Sequence, residues 1–209
     1  MAQVIVIHGY TASPEENWYP WLQRLAAERH FSVNILRLDP SIHPRLSVWE
    51  SQIEQQVGRL DENSIVIAHS LGTIAAMHYL SKHLIHQRIQ QLVLIAGFNR
   101  RLGRLNEVNP FIDAARINFE LLKRQVEHRV VIYSQGDEHV PPKCSIQQAE
   151  SLHAELIAAK HQGHFIDSEG CTELPKSGGS YSLILFLKIR PRPRNRYNFA
   201  GLSAADPAR

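Results

Sequence analysis

Two cysteines among 209 residues, Cys144 and Cys171, are too few for a disulfide framework, and their spacing matches no zinc pattern. Reduced thiols and a cytoplasmic location are the expectation. Long hydrophobic runs are missing too. No apolar stretch approaches the roughly 20 residues that a membrane span needs. Met1-Ala2-Gln3 leads straight into Val4-Ile5-Val6-Ile7, without the basic leader of a secretory signal. Charge of one sign is also scarce. The net charge is +3, and residues 176–209 account for the excess, with seven basic side chains against Asp206 alone. The residues before them hold 16 basic and 19 acidic side chains, a mildly acidic balance. A nucleic-acid partner would rest on the tail alone, and none is expected.

What is present suits one globular unit. Hydrophobic residues make up 44% of the chain, enough for a sizeable core. The run 4–7 is apolar throughout, as in a strand buried on both faces. Ser13, Pro14 and Glu16 read as the start of a helix. Trp18, Trp21, Leu22, Leu25 and Ala26 give that helix an apolar stripe. Further strands are expected at 32–38, 64–69, 91–96, 129–133 and 154–160. Helices are expected at 48–60, 70–86, 111–126 and 142–152. This alternation predicts right-handed βαβ crossovers and a doubly wound, mostly parallel sheet of about six strands. Such sheets bind ligands at the carboxyl ends of their strands. The domain is expected to span 1–175. Residues 176–209 read as an atypical basic extension: a Gly/Ser linker over 176–180, an apolar segment over 182–189, and an extended Arg-Pro run.

The chemistry concentrates at strand ends. Ile65-Val66-Ile67-Ala68-His69-Ser70-Leu71-Gly72 reads as strand, sharp turn and helix, with Ser70 at the apex. In a nucleophile elbow the residues two before and two after the serine must be small. Ala68 and Gly72 meet that demand, although Ala68 keeps a β-carbon. Ser70 as an ordinary helix cap is the competing reading. His8-Gly9, Asp137 and His164 follow other strands, which gives the chain order Ser, Asp, His. A serine needs a base to take its proton. His164 could be that base, and Asp137 could orient it. Backbone N–H groups would have to face the oxygen of a tetrahedral intermediate. Leu71 at the helix start is one candidate, and Gly9, Tyr10 or Thr11 supplies another.

Each residue also has another reading. Asp137 could simply cap the helix behind Pro141, and Glu138 and Asp167 compete for the role of acid. His164 is one of 12 histidines, and His161 with His164 makes a His-x-x-His pair. That pair lies in a loop without a nearby acid at ligand spacing, so no metal and no cofactor are expected. His69 precedes the turn and reads as a neighbour of the elbow rather than a base. His83 and His86 read as surface residues.

Four stretches together resemble the small serine hydrolases of the retinoblastoma-binding-protein-9 type, a compact branch of the α/β-hydrolase superfamily. They are His8-Gly9 with Ser13-Pro14-Glu15-Glu16-Asn17-Trp18 and Pro20-Trp21-Leu22; Ala68-His69-Ser70-Leu71-Gly72; Ser134-Gln135-Gly136-Asp137-Glu138-His139-Val140-Pro141; and Gly163-His164-Phe165 with Glu173-Leu174-Pro175. The resemblance covers roughly residues 3 to 175. It implies a trimmed α/β-hydrolase fold, a Ser70, Asp137, His164 triad, and hydrolysis of small carboxylic esters or amides through an acyl-enzyme. A small-molecule acyl substrate is the implied partner. The retinoblastoma interaction does not transfer, because Glu169 stands where the Leu-x-Cys-x-Glu motif needs leucine. A shallow pocket near Tyr10, Trp18 and Phe98, without a large lid, completes the expectation. The alternative is a non-catalytic interaction module on the same scaffold, since fold does not fix function.

Overall fold

The computed structural model describes residues 3–28, 31–159 and 163–174. The elements alternate as β1 (Gln3–Ile7), α1 (Tyr19–Ala27), β2 (Ser32–Ile35), α2 (Leu46–Val57), β3 (Ile65–His69) and α3 (Leu71–His83). They continue as β4 (Ile89–Ile95), α4 (Asn109–Ala114), α5 (Phe119–Gln125), β5 (Val126–Ser134), α6 (Pro142–Leu152) and β6 (Glu155–Ala159). Six strands form one sheet in the order β2-β1-β3-β4-β5-β6, and every pair is parallel. This is the trimmed α/β-hydrolase architecture. The expected extension over 176–209, with its linker and apolar segment, lies outside the described residues.

The sheet is buried on both faces because its central strands are apolar on both. On one face Ile5, Ile7, Val66, Ala68, Leu92 and Leu94 pack with residues of α2, α3, α4, α5 and α6. On the other, Val4, Val6, Ile65, Ile67, Val93 and Ile95 pack with α1 and with Phe165, Cys171 and Leu174. The chain leaves β1 in one direction to β2, then returns across it to β3. The β1 and β3 ends therefore lie side by side at the point where the strand order reverses. A doubly wound sheet opens a crevice there.

Local chemistry moved some boundaries. The Ser13 backbone N–H does bond the Glu16 carboxylate, at 2.8 Å, yet α1 starts only at Tyr19. Asn17 between them takes a left-handed φ of 56°, which a helix cannot accommodate. The predicted helix over 111–126 is broken in two. Ala115 turns extended, and the Asn118 side chain caps α5 by accepting the Leu121 N–H at 3.0 Å. The break is held against α3, where His78 Nδ1 accepts the Arg116 N–H at 2.9 Å. Val126 then leaves the helix and pairs with Ile89 as the first residue of β5. The second strand ends at Ile35 rather than 38, although Leu36 and Leu38 remain fully buried. His86 is exposed, as expected of a surface residue, whereas His83 is half-buried and stacks on the Tyr79 ring.

Candidate active site

Ser70 sits between β3 and α3 with φ 53° and ψ −124°. A non-glycine residue held there stores about 1–3 kcal/mol of backbone strain. The surroundings impose it. The Ser70 N–H donates to the Ile95 carbonyl at 2.9 Å, and its own carbonyl accepts the Thr73 hydroxyl at 2.7 Å. Gly72 is obligatory, because a β-carbon there would lie 2.3 Å from the His8 carbonyl oxygen. Ala68 points into the core and is fully buried, so its methyl group is accommodated. A β-carbon on Gly9 would come within 3.0 Å of the Ser70 β-carbon. The two strand ends thus meet backbone to side chain.

His164 reaches the serine from the loop after β6. Its Nε2 lies 2.8 Å from Ser70 Oγ, and its Nδ1 lies 2.8 Å from Asp137 Oδ2. The second Asp137 oxygen accepts the N–H groups of His139 and Val140 at 2.9 and 2.8 Å. Asp137 therefore both caps the turn before α6 and faces the imidazole, so the two readings of this residue are compatible. All three side chains are buried. Glu138 is exposed, and Asp167 bonds Asn17 instead. Neither competing acid stands at the imidazole. Both ring nitrogens of His164 are engaged, and His161 lies outside the described residues.

His8 has a structural task. Its Nδ1 meets the Gly9 carbonyl at 2.9 Å, and its Nε2 accepts the Leu38 N–H at 3.1 Å. Only the neutral Nδ1–H form satisfies both partners. Burial holds its pKa below the ordinary histidine value. His69, as expected, is not placed as a base. It bonds Tyr19 and the His164 carbonyl with its two ring nitrogens.

Thr11 must be dropped from the candidate oxyanion donors. Its backbone N–H is already given to the Ser41 carbonyl, at 3.0 Å. Leu71 opens α3, where the first N–H groups have no intrahelical acceptor and the helix dipole favours negative charge. Gly9 and Tyr10 stand across from it, on the β1 loop. A cavity of about 200 Å³ beside Ser70 is lined by residues that include Gly9, Tyr10, Asn17, His164 and Asp167. Trp18 and Phe98, expected at this pocket, are 0% and 1% exposed and belong to the two cores instead. Large apolar rings gain more from full burial against the sheet than from lining an opening to solvent.

Two further contacts support the His164 loop. Asn17 and Asp167 clasp each other, the Asp167 N–H on Asn17 Oδ1 at 2.9 Å and the Asn17 N–H on Asp167 Oδ2 at 3.4 Å. This ties the β1 loop to the β6 loop across 150 residues, a separation that no local pattern reports. The Glu169 carboxylate accepts the His164 N–H. Gly163 was the available signal, since a β-carbon there would collide with that carboxylate.

A family model described as serine hydrolase matches residues 4–181. The chain is 32% identical over 173 residues to the protein YdeN of Bacillus subtilis, covering 83% of this chain and 90% of that protein. It is 29% identical over 153 residues to the serine hydrolase RBBP9 of Rattus norvegicus, covering 73% and 80%. The crystal structure of the B. subtilis ydeN gene product superposes with a TM-score of 0.83 at 29% identity, covering 91% of this chain and all of that one.

Proposed function

The chain belongs to the serine hydrolase family, and from that premise we propose that it cleaves small carboxylic esters through an acyl-enzyme on Ser70. The observation that carries the reading is the unbroken line from Ser70 Oγ through His164 to Asp137, 2.8 Å at each step. Ser70 Oγ attacks the ester carbonyl carbon while its proton passes to His164 Nε2. Asp137 holds the imidazole in the required tautomer and stabilises the imidazolium. The tetrahedral oxyanion lies against the N–H of Leu71 and that of Tyr10 or Gly9. Its collapse breaks the bond to the alkoxy group, which leaves as the alcohol with the proton from His164. Water, deprotonated by His164, then releases the carboxylic acid and restores Ser70.

The small cavity supports a short acyl group. About 200 Å³ falls below the roughly 300–1,000 Å³ of sites that take drug-sized ligands. No residue of the segment between β4 and β5 lines it, which favours an open site without a lid from that segment. A non-catalytic interaction module would leave the strain at Ser70 without a use. The test is turnover of p-nitrophenyl acetate, butyrate and octanoate by the wild type and by Ser70→Ala. The expected result is kcat/KM at least tenfold higher for the two short esters than for the octanoate, and none above background in the variant. Activity that survives Ser70→Ala would overturn the reading.

A further inference from the structure

We propose that His69, backed by Tyr19, is a positioning residue that holds the loop of His164 against Ser70. The proposal rests on the triad reading above and assigns work to a residue that this triad does not use. His69 is the last residue of β3, next to Ser70, so its backbone is fixed by the sheet, paired with Ile95 of β4. Its ring is 2% exposed and packs edge-on against Trp18 and Tyr19. From there its Nε2 lies 2.8 Å from the backbone carbonyl of His164, and the two imidazoles stand 5.1 Å apart.

The protons on this chain of groups can be assigned. A carbonyl only accepts, so His69 Nε2 carries the hydrogen. His69 Nδ1 must then accept, and the Tyr19 hydroxyl, 3.0 Å away, is its donor. Burial supports both assignments. It raises the Tyr19 pKa, which keeps the phenol protonated. It also lowers the His69 pKa to about 3, with His164 as the next contributor. His69 is thus a neutral strut. It fixes the base by a hydrogen bond to its main chain and adds no charge beside an imidazole that must become positive during the reaction.

The geometry explains why such a strut is needed. The Cα of His164 has no sheet partner of its own, because the residue lies beyond the end of β6. Its N–H is taken by Glu169 within the same loop. The His69 contact links the main chain of His164 to the strand that carries Ser70. Catalytic geometry is sensitive at this scale, where a displacement of about 1 Å can cost about 100-fold in rate.

Steady-state kinetics on p-nitrophenyl acetate test this with His69→Ala, His69→Gln and Tyr19→Phe. Fluorophosphonate labelling is run alongside, with His164→Ala as control. For His69→Ala we expect kcat to fall about 10- to 100-fold while KM stays within about twofold. A glutamine amide can donate to the same carbonyl, so His69→Gln is expected to recover a tenfold part of the loss. Tyr19→Phe removes only the hydroxyl, which also meets the Asn17 side chain and the Gly9 backbone, and is expected to lower kcat about three- to tenfold with KM unchanged. It decides the question if His69→Ala does not fold. Wild-type kcat in folded His69→Ala, or in Tyr19→Phe, overturns the proposal. So does a glutamine variant no better than alanine. A wild-type protein that takes no probe overturns the triad reading itself, a separate and visible failure.

Discussion

Two buried histidines, His8 and His69, stay neutral in the folded protein for the same reason. Burial penalises the charged form of each. In the unfolded chain they titrate near the ordinary value of about 6.5. His69 is pressed down to about 3 when folded, facing the His164 and Tyr19 rings with Asp137 beyond. Between those two values the unfolded chain binds a proton that the folded chain refuses. The stability from this group is therefore complete above about pH 6.5 and is lost as pH falls, at about 1.4 kcal/mol per unit. His8 acts with the same sign. Thermal midpoints measured from pH 7 to 5 are expected to fall, and to fall less in His69→Gln. Parallel curves for the two proteins would show that His69 contributes nothing to the slope. At this scale the sequence was partly legible. Ser70, Asp137 and His164 stood out because each follows a strand, and strand ends are where such sheets bind ligands. The loss of Thr11 as a donor was illegible, because its partner Ser41 lies 30 residues away on another loop.

The strand-turn-helix unit around Ser70 is the element on which the site depends. Its backbone strain is sustained only while α3 approaches β1 as closely as it does. Gly72 sets that approach, since a β-carbon there would meet the His8 and Ile7 carbonyl oxygens at 2.3 and 2.6 Å. These are backbone atoms at the end of β1 and just past it, and they cannot step aside. Gly72→Ala is expected to cost about 2–3 kcal/mol, read as a thermal midpoint lower by about 5–10 °C. An unchanged midpoint would mean that the packing is looser than the structure has it. The need for a small residue here was legible, because an elbow serine imposes it. The break between α4 and α5 was not. An apolar spacing that continues across Ala115 to Asn118 looks helical. What breaks it is tertiary, with His78 and Ser81 of α3 taking the freed N–H groups of Arg116 and Asn118.

At the scale of the whole molecule, the six-stranded parallel order was legible from the alternation of short apolar runs with amphipathic ones. The reversal between β2 and β3 brings Gly9 beside Ser70, and the loops after β5 and β6 bring Asp137 and His164 to the same edge. What the alternation could not carry is which large rings the core would claim. Trp18 and Phe98 went to opposite faces of the sheet and do not line the pocket beside Ser70. Among the described residues no helix is long and apolar enough to cross a membrane. In the proposed mechanism four distant segments assemble one activated serine. The most direct test is reaction of the purified protein with a fluorophosphonate, followed by peptide mass mapping of the wild type and of His164→Ala. A single phosphonate adduct on Ser70 is expected in the wild type and none in His164→Ala on the same timescale. A folded wild-type protein that stays unmodified, or equal labelling of both proteins, would contradict that mechanism.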